Sequence, residues 1–489
     1  MHTSHRNLIL LTLFVLAASS VSAAPSQCPT YIDTVVPSGQ NAVYGRREPG
    51  DPFLATMRDV HNTLSRCSGI KSLKLRVTGL GCSEWPDRWS FPFDLSSSSR
   101  YPSKLESLDL EGCQFDDADW REVSRPPFRT GSEFWDTLEW LGSGRAWKWL
   151  RWLPLSRSQK DKTNLHLWLE AMDFSHIKEL ALKQAWNHRP ELQPLIPHLQ
   201  SLRSLNITGQ WARDFILGLP ADSLTHLAWH SSGETGASVL PVLRHHARSL
   251  TSLDWRQPET GQRQRRVMSP EQIAELGRMA PSLETLTLDV NRNGTWPMEH
   301  LEALATSFPK VATVTVFFEI ASECRRQLES SRRPYGYPER PKPGEELPCS
   351  GIESMAQPLL NNANAVKLFG FLRENKVGEA LTKAVFYAGD WSRGWDGPIA
   401  EDQWLDGRAA FMFCEAVDEG AEGSGGKQIL CQGIDTKIAS SRWGSGYDEI
   451  FAGGGGGDDN DDDDDDDDDY NRAWTTDLAK RARWMELLD

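Results

Sequence analysis

The stretch Leu105-Glu-Ser-Leu-Asp-Leu-Glu-Gly-Cys113 reads L-x-x-L-x-L-x-x-C. Alternation of apolar and polar residues marks a half-buried strand, and the Gly-Cys pair after it marks the turn that leaves the strand. Seven other stretches share the spacing: Ile70, Leu73, Leu75; Ile177, Leu180, Leu182; Leu202, Leu205, Ile207; Leu224, Leu227, Trp229; Leu250, Leu253, Trp255; Leu283, Leu286, Leu288 with Asn291; and Val311, Val314, Val316. Most steps between copies are 22 to 35 residues, and the one step of 72 has room for two longer units. A strand recurring at this period cannot bury its apolar face alone and must stack on its neighbours, which is the signature of a solenoid.

The segments between copies carry apolar residues at helical spacing: Trp211 to Leu219, Val239 to Ala247, Pro270 to Met279 and Met298 to Ser307. Ser269 before Pro270 supplies an N-cap followed by proline at the first helical position. Thr56 to Leu64 and Asn164 to Leu180 read as helices feeding the next strand. The expected fold is therefore α/β, a horseshoe with parallel strands inside and helices outside.

The chain has 489 residues and a formal net charge of -15. Eleven carboxylates sit in one run, Asp458, Asp459 and Asp461 to Asp469, which leaves -4 for the remainder. A near-neutral body with an acidic tail argues against nucleic acid as a partner. Residues 1–23 read as a secretory signal peptide, with Arg6, an apolar run from Leu8 to Ala18, and Val21-Ser22-Ala23 for cleavage. No stretch is long and apolar enough to span a membrane. The expected product is a secreted, extracellular protein.

The expected organisation continues with an N-terminal cap at 24–69, repeats at 70–328 and a Pro-rich loop at 329–350. An irregular last repeat with a C-terminal cap, or a separate small domain, follows at 351–418. Within it Pro358 to Glu374 suits a helix, and Leu381 to Ala388 and Ala409 to Val417 suit strands. The Gly- and Asp-rich stretch 419–489 is expected to be disordered, since it has too little apolar surface to offset ordering entropy. A short terminal helix is expected over Ala473 to Leu488.

Eight cysteines fit an oxidising compartment. Candidate pairings are Cys28 with Cys67 or Cys82, Cys324 with Cys349, and Cys414 with Cys431; Cys113 reads as a buried thiol. Asn206-Ile-Thr208 and Asn293-Gly-Thr295 are glycosylation sequons, both expected in the turn leaving a strand. The stretch from Asp289 to His300 opens like a calcium loop, but His300 stands where a bidentate Glu belongs, so no metal is expected there. His245-His246 lies in a helix candidate without any hydrolase motif. Of the twenty Trp, Trp229 and Trp255 read as core. Trp211, Trp391, Trp395 and Trp404 lie near strand ends or loops, where packing into the core or a cap is expected and an exposed indole that stacks on a sugar ring or anchors a protein interface is the alternative.

The strand copies, including Leu105 to Cys113 and Leu283 to Asn291, resemble the leucine-rich-repeat superfamily over roughly residues 60 to 320. Their irregular lengths are similar to the helix-bearing class of ribonuclease-inhibitor-like proteins and fungal F-box proteins. Asn164-Leu-His-Leu-Trp-Leu-Glu-Ala-Met-Asp-Phe is similar to segments of fungal members. An export signal stands where an F-box would, so the resemblance does not extend to a ubiquitin-ligase adaptor. It implies binding on the concave strand face or its rims and supplies neither catalytic residues nor a cofactor. The expected function is non-catalytic recognition of a protein partner. The alternatives are cell-wall polysaccharide binding through exposed Trp, and a glycoside hydrolase on a parallel β-helix.

Overall fold

The computed structural model describes residues 28–36, 57–77, 91–93, 100–117, 162–183, 191–257, 265–320, 357–389, 410–418 and 427–434. All structural statements below concern these residues. One twelve-stranded sheet runs through them in sequence order. Its strands are β1 (Tyr31–Val36), β2 (Ser72–Val77), β3 (Ser107–Glu111), β4 (Glu179–Lys183), β5 (Ser204–Thr208), β6 (His226–His230), β7 (Ser252–Arg256), β8 (Thr285–Val290), β9 (Thr313–Phe318), β10 (Lys383–Ala388), β11 (Ala410–Asp418) and β12 (Lys427–Ile434). Every pair from β1 to β10 is parallel, and β11 then pairs antiparallel with both β10 and β12. The helices are α1 (Met57–Arg66), α2 (Asn164–Ala171), α3 (Ala212–Gly218), α4 (Gly236–Arg244), α5 (Pro270–Met279), α6 (Met298–Ser307) and α7 (Asn362–Glu374). A long, open, mostly parallel α/β sheet alternating with helices is compatible with a repeat solenoid.

All eight L-x-x-L-x-L stretches form strands, and their register stacks like on like. Leu73, Leu108, Leu180, Leu205, Leu227 and Leu253 form one buried row across β2 to β7. Burying each such side chain contributes about 1.5–3 kcal/mol. Trp229 and Trp255 lie side by side in the next core row, fully buried, with their indole N–H groups bonded to the Gly209 carbonyl at 2.9 Å and the Ser232 hydroxyl at 3.2 Å. Two of the helices start on reciprocal side-chain caps. Ser269 and Gln272 exchange side-chain and backbone hydrogen bonds at the start of α5, and Thr235 and Ser238 do the same for α4. The helix α5 comes so close to α6 that a Cβ on Gly277 would collide with the Ser307 carbonyl.

Four expectations are corrected. First, no further strand separates β3 from β4 in the sheet, although 72 residues separate their repeats in sequence, because Ser107 of β3 pairs directly with Glu179 of β4. Secondly, the cap is more than the helix expected over Thr56 to Leu64: β1 adds a strand to the sheet, with Ile32, Thr34 and Val36 buried. Thirdly, the strands are not all parallel, because β10, β11 and β12 make an antiparallel meander at the C-terminal end. Fourthly, β12 lies within the stretch expected to be disordered. Its sequence alone is a poor strand, and what holds it is the cross-strand disulfide Cys414–Cys431 together with α7, which packs on it. The expected signal peptide and terminal helix, the Pro-rich stretch and the Asp run lie outside the described residues.

Candidate interaction surface

Alternation along each strand sends one set of side chains into the core and the other onto the open face of the sheet. At the N-terminal end that face is ionic. Lys74 reaches Asp33 at 3.1 Å, Arg76 reaches Glu111 at 2.9 Å, and Lys183 reaches Asp109 at 3.0 Å. Such half-exposed pairs contribute only about 0.2–1 kcal/mol each, so they orient charge more than they stabilise. In the middle the face is low and uncharged: Asn206 sits between Ala181 and Ala228 in register. Beyond it His230, Asp254 and Arg256 form a cluster. The His230 Nε2 lies 2.9 Å from Asp254 Oδ2 and 3.0 Å from Arg256 Nη2, while Arg256 Nε donates to Asp254 Oδ1 at 2.8 Å. Burial pulls the Asp254 carboxyl upward, but Arg256 and then His230 outweigh it and hold it below the usual carboxylate range.

The last third of the face is aromatic. The Arg256 guanidinium lies over the Phe317 ring at 4.6 Å, Phe317 stacks on Tyr387 at 4.3 Å with planes 5° apart, and Tyr387 meets Phe411 at 5.0 Å. Lys383 stands over Phe413 at 5.8 Å. One sheet therefore offers paired charges, a small-residue floor, then cations over aromatic faces.

Where strands β6 to β9 end, a buried polar network takes in the stretch that opens like a calcium loop. Asp289 is buried and ion-paired with Arg265 at 3.0 Å, and it accepts the Gln257 backbone N–H. Gln257 in turn donates to the Ser232 hydroxyl. Arg292 donates to the Pro358 carbonyl and, at 3.3 Å, to that of Glu319, while its guanidinium lies over Phe318 and Trp296. Asp289 is committed to protein groups and not set out as a cation ligand. Among the described residues no cluster of His, Cys, Asp and Glu could hold a metal ion.

The other candidate residues fall as follows. Cys28 pairs with Cys67 and Cys414 with Cys431, and Cys113 is a buried free thiol whose pKa burial pushes up to about 12. Asn293 is exposed in a bend, but Asn206 lies in mid-strand with its Oδ1 shielded from solvent, not in a turn. Trp211 is partly buried and packs against the core, its indole seated over Gly209. His245 and His246 contact the carbonyls of Leu219 and Ile216 through Nε2, at 2.8 and 3.2 Å, so both tie α3 to the turn after α4. Trp391, Trp395, Trp404, Cys82, Cys324 and Cys349 lie outside the described residues. The His230–Asp254–Arg256 cluster and the aromatic ladder escaped sequence reading, because the contacts that cross from strand to strand join residues 24 to 70 apart; the register of the repeats was the one signal that aligned them.

Compared with known proteins, the chain matches no family model and no curated protein.

Proposed function

We propose that this chain is a secreted, non-catalytic leucine-rich-repeat protein that recognises a protein partner across the open face of its sheet. The supporting observation is the graded composition of that face, from paired charges through Ala181–Asn206–Ala228 to cations over aromatic rings. Arg and aromatic side chains held in place by neighbours are the groups that dominate protein interfaces. The two disulfides are consistent with an extracellular protein, and no described helix is long and apolar enough to cross a membrane.

The test is capture from extracellular protein extract by full-length protein, beside a panel of cell-wall polysaccharides. One protein should be retained by the wild type and lost, at unchanged folding, in Arg256→Glu and in Lys183→Glu. Retention on a polysaccharide that ignores both substitutions, or release of sugars from it, would replace this reading with a glycan-binding or hydrolytic one.

A further inference from the structure

The two rims of the sheet differ in charge. In a strand–helix–strand repeat, one rim gathers the helix C-termini and the residues entering each strand; the other gathers the strand ends and helix N-termini. Helix macrodipoles favour cations at the first rim and anions at the second. The last turns of α1, α4, α5 and α7 contain Arg66, Arg244, Arg278 and Arg373, whereas the first turns of α1, α3, α5 and α6 contain Asp59, Asp214, Glu271 and Glu299.

The entry rim is also continuous. The residue ahead of each strand donates its N–H to the carbonyl of its counterpart ahead of the previous strand, through Lys71, Glu106, Lys178, Arg203, Thr225 and on to Thr382. Glu106 is held between Lys71 at 2.8 Å and Lys178 at 2.7 Å, which keeps its pKa at about 2. That triplet retains a net positive charge, and exposed Arg203, Arg248 and Lys310 extend it along the rim, outnumbering the exposed acids Glu179 and Glu284 there.

We infer that this basic entry rim docks the chain's own acidic run, Asp458 to Asp469. Charge complementarity is the first support. The second is that the neighbouring sequence does not neutralise the run: between Trp443 and Trp484 the basic residues are Arg472, Lys480, Arg481 and Arg483, against eleven carboxylates in the run. The third is reach. Both β10 and β12 run antiparallel to β11, so Ile434 leaves the sheet at the exit rim. From there to Asp458 are 24 residues, and a flexible coil of that length would span about 27 Å, against about 20 Å for the height of a six-residue strand. From Lys71, ahead of β2, to Lys310, ahead of β9, is about 33 Å at the usual strand spacing. Nine extended residues cover about 30 Å. Docked, the run screens the rim from other anionic chains, whatever protein occupies the open face.

Zero-length carbodiimide cross-linking of the full-length protein at low salt tests this, with the Lys71–Glu106 pair as the internal control. Peptides holding Asp458 to Asp469 should join Lys71, Lys178 or Lys310 within one molecule. Those links should fall at least about threefold in Arg203→Glu/Arg248→Glu, as expected for losing exposed ion pairs, and disappear at high salt. The inference is overturned if the run joins only Lys162, Lys183 or Lys480, only a second copy in an isotope-mixed sample, or nothing while the control pair links. Rim links that ignore the charge reversal overturn it as well.

Discussion

Asn362, at the start of α7, donates its side-chain amide to the backbone carbonyl of Cys431 in β12 at 2.6 Å. The Cα atoms of Cys414 and Cys431 are 4.1 Å apart across the antiparallel pair, the short spacing of a non-hydrogen-bonded pair. The Cys431 carbonyl therefore points away from β11, toward the outer edge of the sheet. An open edge is a template for pairing with another chain, and Asn362 occupies it at mid-strand.

Replacing Asn362 by Ala should therefore lower stability by about 1 kcal/mol, the usual net contribution of such a bond. It should also produce concentration-dependent self-association through β12. Denaturant unfolding and light scattering on the same variant check the two effects. A variant that stays monomeric at every concentration would mean that something other than Asn362 guards the edge.

What could be read from the sequence, and what could not, follows from the same geometry. Leu108 and Leu110 announce β3 because their two-residue period and their neighbours' identical period demand one buried face. In β1 the middle inward position is Thr34, so the alternation weakens although the residue is buried. In β12 only Cys431 has a strong claim on the core, and its partner Cys414 lies 17 residues away. Asn206 shows a misplacement in the opposite sense: its neighbours Leu205 and Ile207 are both core residues, which fixes it on the open face and not in a turn. The buried Arg265–Asp289 contact was beyond sequence reading, since a charged residue near a strand end reads as solvent-exposed until its partner is known.

That contact yields the largest expected single-residue effect. Both side chains are inaccessible to solvent. Asp289→Ala would leave the Arg265 guanidinium buried without its counterion, a change that costs about 3–5 kcal/mol. Asp289 also accepts the Gln257 N–H, so the strand ends of β7 and β8 should loosen together. Equilibrium unfolding measures the loss, and hydrogen exchange at Gln257 reports the loosening. A loss below about 1 kcal/mol would show that water reaches Arg265.

The disulfides make a graded prediction. Cys28–Cys67 closes a separation of 39 residues and Cys414–Cys431 one of 17. On the chain-entropy relation these contribute about 4 and about 3 kcal/mol. Cys28→Ser/Cys67→Ser should therefore cost slightly more than Cys414→Ser/Cys431→Ser in a denaturant titration. The first pair should release β1, read as faster amide exchange across Ile32 and Val36, while the second pair leaves β1 protected. Equal loss of protection at both ends of the sheet would contradict the independence of stacked repeats.

Acid sensitivity should concentrate at His246. Its ring is fully buried, its Nε2 contacts the Ile216 carbonyl, and its Nδ1 has no hydrogen-bond partner among the described residues. A neutral imidazole donates from Nε2 and leaves Nδ1 bare; protonation adds a buried N–H with no acceptor. Burial is the main cause that holds the pKa below its ordinary 6.5, with the neighbouring His245 acting the same way and the Ile216 carbonyl and Asp222 opposing. Burial likewise lowers His300. Because the unfolded chain takes up these protons more readily, the stability that the neutral rings contribute is complete above about pH 6.5 and declines as pH falls toward the depressed folded values. The urea midpoint of the wild type should fall between pH 7 and pH 5. It should fall less in His246→Gln, whose amide can still donate to Ile216, and least when His300→Gln is added. If the double variant follows the wild-type curve through that window, the buried imidazoles are not its source, and the acid response must come from groups outside the α3–α4 and α5–α6 packing.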